Sequence, residues 1–329
     1  MNNSQLWHKY PLIKTQLERV NHCIEKTIQT PYTDLEDALI TMADNGGKYL
    51  RPSLLILSAQ IASGKKEVST QIIKLASSIE ILHMASLIHD DIIDDSDERR
   101  GNLSVQAHFG KDTAVYAGDL LFTHFFDLML QTVDEHNYMV KNAHTMRHIL
   151  NGELGQMAER FNLKQTLDDY LDNVKGKTAA LFKLASEEGA HFAGKDDQIT
   201  KEMAAFGENL GIAFQMIDDI LDYAGGKKLN KPTLEDLATG VYSLPLLLAL
   251  NKEDLKERLV PILTKQRMMT EDDMQNVQNI ILDSSIIDES RALAQKFTDR
   301  AIANLNNVPS CPSSKLLIKM TKQLVNRTM

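Results

Sequence analysis

Cysteine is nearly absent: Cys23 and Cys311 lie far apart and outside any CxxC spacing. A disulfide framework and a thiolate zinc site are therefore not expected, and a reducing cytoplasm is. Only 8 prolines and 16 glycines punctuate 329 residues, both low for that length. Alternation of the kind that makes a half-buried strand is missing throughout. No block of lysine and arginine is long enough to track a phosphate backbone, and the net charge is −9. Nucleic acid is thus excluded as an expected partner. There is no basic-then-apolar start of the kind that marks a signal peptide, and no uninterrupted apolar run approaching about 18–20 residues. The expectation is a soluble, cytoplasmic protein with no transmembrane segment.

What is present is helix-forming. Apolar residues make up 43% of the chain, ample for a sizeable core. Met, Leu, Ala, Lys and Glu abound, and these residues lose little rotamer freedom in a helix. Helical periodicity runs between breaks at Pro31, Gly46-Gly47, Ser63-Gly64, Gly101-Asn102, Gly194, Gly225-Gly226, Pro232 and Val308-Pro309. No break is long or of low complexity, so one all-α domain over residues 1–329 is expected. The first residues, up to the break at Pro31, are amphipathic and suit a helical hairpin. A short loop from Pro309 to Ser314 precedes a final helix, Lys315 to Asn326. Residues 71–95, up to His83, and residues 200–223, from Phe206 onward, are apolar around most of their circumference and belong in the core.

Each of those two segments ends in aspartates: Asp90, Asp91 and Asp94 in one, Asp218, Asp219 and Asp222 in the other. Positions i and i+4 share a helix face, so Asp90 and Asp94 project together, with Asp91 about 100° round. A solvated acidic helix end is the plain alternative. Against it, carboxylates in a last turn oppose the macrodipole at a cost of roughly 0.3–1 kcal/mol each. Asp95, Asp97 and Glu98 crowd the first cluster further. A bound cation relieves both problems, and the motif occurs twice. Oxygen-only ligands suit a hard ion; Mg²⁺ takes one or two carboxylates and completes its shell with water and substrate phosphates. A calcium EF-hand needs a glycine-centred loop and a terminal Glu, and neither is present. The pattern asks for a diphosphate substrate.

Cations that could hold phosphates stand nearby. Gly46-Gly47-Lys48-Tyr49-Leu50-Arg51-Pro52 opens a helix, so free backbone N–H groups, Lys48 and Arg51 can converge on an anion. A Walker A reading fails, because no strand precedes the segment and no Ser/Thr follows the Lys. Arg99-Arg100 follows the first acidic cluster, as phosphate ligands or as plain counter-charges. His83, Asp90 and Asp94 fall on one helical stripe; Gln215, Asp218 and Asp222 form another. His89 is off the first stripe.

These residues, taken together, resemble the trans-isoprenyl diphosphate synthases, or polyprenyl synthetases. The matching elements are GGKYLRP at 46–52, HMASLIHDDIIDDSDERRG at 83–101, GELGQ at 152–156, KTAALF at 177–182, GIAFQMIDDILDY at 211–223 and SLPLLLAL at 243–250, spread over about residues 40–310. The resemblance implies an antiparallel helical bundle around a deep central cavity, active as a dimer. It implies that Lys48, Arg51, His83 and Arg100 bind isopentenyl diphosphate, and that Arg99, Lys177, Thr178 and Gln215 hold the allylic diphosphate. Asp90 and Asp94 would bind two Mg²⁺ ions and Asp218 a third. The implied chemistry is ionisation of the allylic diphosphate followed by attack of isopentenyl diphosphate, with apolar walls excluding water from the cation.

Product length is partly legible under that resemblance. A chain growing along the first core helix away from Asp90 passes Ser86, Ala85, Leu82, Ile79 and Ser78. Short-chain members carry bulky aromatics four or five residues before the motif; here those positions are Ser86 and Ala85. Each cleared turn is about 5.4 Å, close to one isoprene unit, so a product of roughly six to eight units is expected. Phe122, Phe125, Phe126 and Leu128 are candidates for the far wall. The family's Gly-Lys-x-Thr before Leu-Pro reads Gly240-Val241-Tyr242-Ser243 here, and its Gly-Lys-Pro turn reads Asn230-Lys231-Pro232. Such departures resemble catalytic subunits of two-component long-chain synthases, which leaves homodimer and heterodimer with a non-catalytic subunit both open. A geranylgeranyl-type synthase, a terpene cyclase and a non-catalytic subunit are the rival readings. Intact motif carboxylates argue against the non-catalytic reading; Lys48, Arg51 and Arg99-Arg100 argue against the cyclase.

Overall fold

The computed structural model describes residues 11–45, 49–99, 101–194, 196–224 and 234–325. Among the described residues the chain is all-α apart from one minimal hairpin. In order the helices are α1 (Pro11–Thr27), α2 (Thr33–Asn45), α3 (Leu50–Ser63), α4 (Thr70–Ile93), α5 (Val105–Phe109), α6 (Lys111–Thr132), α7 (His136–Ala158), α8 (Leu167–Val174), α9 (Ala180–Gly194), α10 (Asp197–Ala224), α11 (Glu235–Thr239), α12 (Leu244–Leu250), α13 (Glu253–Leu263), α14 (Glu271–Leu282), α15 (Ile286–Asn306) and α16 (Pro312–Val325). A π-helical turn, Lys175–Ala179, joins α8 to α9.

Two compact units are distinguished. The first takes in the described residues up to Asn142, Leu184–Ala204 and Val308–Lys315; the second takes in Ala143–Lys183, Ala205–Asn307 and the described residues from Leu316 onward. In the first unit α4 is the central element and packs chiefly on α6, with α1 and α3 also against it. Its N-terminus is set by Ser69, whose side chain accepts from the Ile72 N–H; this satisfies one of the orphan donors of the first turn. Beyond it, Ile72, Ile73, Leu75, Ile79, Ile81, Leu82, Met84 and Ile88 are all buried. A helix apolar on nearly every face can only be a core helix.

The second unit is built around the C-terminal part of α10. Ile212, Ala213, Met216, Ile217, Ile220 and Tyr223 form one cluster with Tyr170 and Val174 of α8, Leu244, Leu246 and Leu247 of α12, and Leu255 and Leu259 of α13. The two apolar segments singled out in the sequence therefore organise one unit each.

Several expectations are adjusted. The expected 71–95 and 200–223 helices run Thr70–Ile93 and Asp197–Ala224. Gly64 caps α3 in the left-handed region, φ 67°, as its break position implies. The final helix starts three residues before Lys315, because Pro312, with φ already fixed, opens it. No strand was expected, yet Glu98–Arg99 pairs antiparallel with Asn102–Leu103 across Gly101 (φ 81°). A two-residue ladder leaves too short a pattern for alternation to register. Among the described residues one helix, α4, is long and apolar enough by length and composition to cross a membrane; Lys74, Glu80 and His83 interrupt its apolar run, as the sequence implies, and 72% of its apolar window is buried inside the protein.

Candidate active site

The first acidic motif closes α4. Ile93 is the last helical residue, Asp94 is the C-cap with its N–H donating to the Asp90 carbonyl at 2.9 Å, and Asp95 turns the chain at φ 53°. Asp94 is exposed and Asp90 half-buried, whereas Asp91 is only 2% exposed. Asp91 faces inward and receives the Arg99 guanidinium: Nε donates to its Oδ1 at 2.8 Å, and Nη2 donates to the same oxygen. The hairpin is what returns Arg99 to this point, eight residues on. The Ser96 N–H also donates to the Asp91 carbonyl at 2.9 Å. A groove of about 420 Å³ opens beside this ion pair, lined by Asp34, Asp37 and Met42 of α2, Leu103 of the hairpin, and His108 and Phe109 of α5.

Of the other residues singled out in this unit, His83 and Ser86 are half-buried on α4, and the Ser86 hydroxyl donates to the His83 carbonyl at 2.9 Å. Ala85, Leu82, Ile79 and Ser78 are buried. On α6, Phe125 and Leu128 are buried, Phe126 is exposed, and Phe122 packs on His89 with ring centroids 5.4 Å apart. His89 fits a notch at Gly118, where a Cβ would meet its Nε2 at 2.3 Å. Arg51 is half-buried in the first turn of α3, directly after Tyr49, which holds a left-handed backbone (φ 46°) while its hydroxyl donates to Asn21 Oδ1 at 2.5 Å. Lys48 and Arg100 lie outside the described residues, as do Asn230-Lys231-Pro232.

The second motif lies in the last turns of α10. Asp218 is half-buried and Asp219 buried. Asp219 accepts three hydrogen bonds: from the Tyr170 hydroxyl at 2.7 Å, from Gln215 Nε2 at 2.9 Å and from the Leu244 N–H at 3.2 Å. The last of these caps the N-terminus of α12, where N–H groups have no intrahelical partner and a negative charge is favoured. Burial still dominates, raising the Asp219 carboxyl to about 6. Asp222 accepts from the Leu234 N–H at 2.9 Å, and burial together with the nearby Asp236 charge pushes it to about 7.

Beside this motif stands the π-helical turn with Lys177 and Thr178. The Thr178 hydroxyl donates to Gln215 Oε1 at 2.7 Å, so Thr178, Gln215, Asp219 and Tyr170 form one chain of hydrogen bonds. Lys177 Nζ lies 3.0 Å from both Glu153 Oε2 and Gln156 Oε1. GELGQ thereby gains a physical role. A Cβ at Gly152 would meet the Lys177 nitrogen at 2.5 Å, and one at Gly176 would meet the His148 carbonyl at 2.6 Å. Two glycines let α7 and the π turn touch backbone to backbone. A cavity of about 20 Å³, enough for one water, is enclosed by residues that include Lys177, Thr178, Gln215, Asp219, Tyr170, Asp236 and Val241. Val241 is 8% exposed, and the preceding Gly240 (φ 83°) lies against the Phe161 ring.

The sequence pointed to Asp219, Lys177, Thr178 and Gln215 but not to Tyr170, Glu153 or Gln156. Tyr170 lies 49 residues before Asp219, and nothing local marks it. GELGQ was marked as a motif without a role for its Glu or Gln.

These donors fit a divalent cation bound with its substrate. They are carboxylate oxygens, the ligands a hard ion takes. Among the described residues no group of three or more His, Cys, Asp and Glu converges into a ready-made cage.

Comparison with known proteins places the chain in a family. The polyprenyl synthetase family model matches residues 33–281. The heptaprenyl diphosphate synthase component 2 of Geobacillus stearothermophilus is 32% identical over 309 residues, covering 94% of each chain. The crystal structure of geranylgeranyl pyrophosphate synthase from Lactobacillus brevis superposes with a TM-score of 0.92 at 36% identity, covering 98% of this chain and 100% of that one. A polyprenyl synthase from Caulobacter crescentus, solved with calcium and isoprenyl diphosphate, gives 0.89 at 31% identity, covering 99% of this chain and 98% of that one. The chain belongs to the polyprenyl synthetase family, the trans-isoprenyl diphosphate synthases.

Proposed function

We propose that this polyprenyl synthetase is a catalytic prenyltransferase, condensing an allylic diphosphate with successive isopentenyl diphosphates to an all-trans product of roughly six to eight units. The observation that carries the reading is the state of the first motif: Asp90 and Asp94 reach solvent at the end of α4 while Asp91 is tied inward to Arg99. A non-catalytic subunit would have no reason to keep carboxylates against the helix dipole. Asp90, Asp94 and Asp218 would hold Mg²⁺. When bound, Mg²⁺ supplies Lewis-acid stabilisation of charge on the leaving diphosphate.

The residues of the chain have distinct tasks in this scheme. Lys177, placed on the π turn, and Arg99 hold the allylic diphosphate and stabilise the charge it gains as the C–O bond breaks. Lys48, Arg51, His83 and Arg100 bind the diphosphate of isopentenyl diphosphate. Its double bond supplies the electron pair for the new C–C bond, and the proton then lost goes to the released diphosphate. The apolar face of α4, from Ala85 to Ser78, receives the growing chain and keeps water from the cation.

Incubation with farnesyl diphosphate, isopentenyl diphosphate and Mg²⁺, followed by sizing of the product, tests the reading. Exclusive formation of a three- or four-unit product would sink the long-chain claim.

A second chain is also part of the proposal, with a cytoplasmic setting. Val115, Tyr116, Phe126 and Leu130 of α6 are exposed apolar residues, Tyr116 at 75%. That face suits a second copy or a non-catalytic subunit, and the name of the Geobacillus relative favours weighing the latter. Weak activity of the isolated chain, rescued by a separate subunit, distinguishes the two.

A further inference from the structure

Tyr170 carries a hydroxyl where packing alone needs only a phenyl ring. It is 5% exposed, sits in the core cluster of the second unit, and spends its O–H on Asp219 at 2.7 Å. The other donors to Asp219 do less to fix it. Gln215 lies one turn earlier on the same helix, so its bond to Asp219 does not by itself tie that carboxylate to another element. The Leu244 N–H is the longest contact of the three, at 3.2 Å. Tyr170 is the side chain that ties Asp219 to a different element.

That element is itself well fixed. The helix α8 opens with a capping box between Thr166 and Asp169, and continues directly into the π turn with Lys177 and Thr178. Two bonds therefore lock α8 and its extension to α10: Tyr170 to Asp219, and Thr178 to Gln215. Asp218 and Asp219 are consecutive, about 100° apart round the helix. Fixing one sets the direction of the other. A carboxylate with all three near donors engaged is a tether rather than a free metal ligand.

We propose that Tyr170 is a positioning residue: by holding Asp219 it sets the rotation of the last turns of α10, and so aims Asp218 at the cation–diphosphate group. The assignment rests on the functional reading above.

Thermal melting with and without Mg²⁺ plus inorganic diphosphate tests it, together with steady-state kinetics. Tyr170→Phe is expected to lose most of the ligand-dependent rise in Tm and to raise KM for the allylic diphosphate about 10- to 100-fold, the worth of one hydrogen bond to a charged group. Its kcat should fall less than its kcat/KM. The double variant Tyr170→Phe/Asp219→Asn should be no worse than Asp219→Asn alone, since both act through one contact. Additive losses, or a Tyr170→Phe protein with the wild-type melt shift and KM, overturn the assignment. Should Tyr170→Phe fail to fold, Asp219→Asn carries the test: a smaller ligand-dependent shift with Asp218 intact is expected, and either full retention or a loss as complete as in Asp218→Asn counts against the proposal. A wild-type chain that makes no polyprenyl product yet shows the Tyr170-dependent shift fails the enzymatic reading and leaves the positioning role standing.

Discussion

The two aspartate motifs read alike in sequence and are built differently in space. In both, the second aspartate is buried and committed inward. Asp91 meets a guanidinium, whereas Asp219 meets a phenol, an amide and a backbone N–H. The fifth positions diverge as well: Asp94 is the exposed C-cap of its helix, while Asp222 is turned toward the Leu234 N–H. Buried carboxylates are costly unless compensated. The first motif compensates with an opposite charge, and the second with neutral donors that leave Asp219 and Asp222 at about 6 and 7. Accessible first aspartates and tethered second ones are what the motifs share.

The largest expected effect falls on the shared part. Asp90→Asn or Asp218→Asn should lower elongation about 100- to 1000-fold, the usual loss when one element of charge stabilisation is removed, with little change in Tm. Initial rates and melting curves check this, and equal losses in both variants are expected.

Next come the supports that differ. Asp91→Asn leaves the Arg99 guanidinium without its carboxylate and should cost about 1–3 kcal/mol of stability. Asp219→Asn, which removes a charge held by neutral donors among the described residues, should cost less. Denaturant unfolding of the two variants side by side decides whether the contrast is real. Gly152→Ala should cost about 1–3 kcal/mol by overpacking and lower activity by displacing Lys177. Nothing comparable is expected at Gly64, where a Cβ meets nothing within 4 Å and only the left-handed backbone, roughly 1 kcal/mol, opposes substitution.

The smallest effect is a pH dependence. Asp219 and Asp222 have folded values above the ordinary 3.8. The native state therefore holds protons that the unfolded chain has released, and metal-free stability should fall as pH rises from about 4 to 7. Glu188, buried with Asn142 as its donor and raised by that burial to about 8, adds the same sign in the first unit. Melting in EDTA across this range should flatten in Asp222→Asn, with Glu188→Gln serving as the baseline for the other contribution. An unchanged slope in both would break the electrostatic contrast.

Much of this organisation is legible from periodicity. The two core helices, the aspartates at their ends and the Gly64 stop follow from local pattern and cap chemistry. The partners do not. The direction of Asp91 depends on a hairpin of two-residue strands, and that of Asp219 on a tyrosine 49 residues away. Neither leaves a local signature. The π turn is equally hidden: nothing in the sequence around Gly176 marks the backbone of α7 that lies against it.

Calorimetric titration of Mg²⁺ with inorganic diphosphate into the wild type and the Asn variants at Asp90, Asp91, Asp218 and Asp219 addresses the division within each motif most directly. The first aspartates should prove necessary, with binding abolished at Asp90→Asn and Asp218→Asn. Asp91→Asn and Asp219→Asn should still bind, more weakly. Loss at Asp91 or Asp219 as complete as at its neighbour, in a variant that remains folded, would contradict the account.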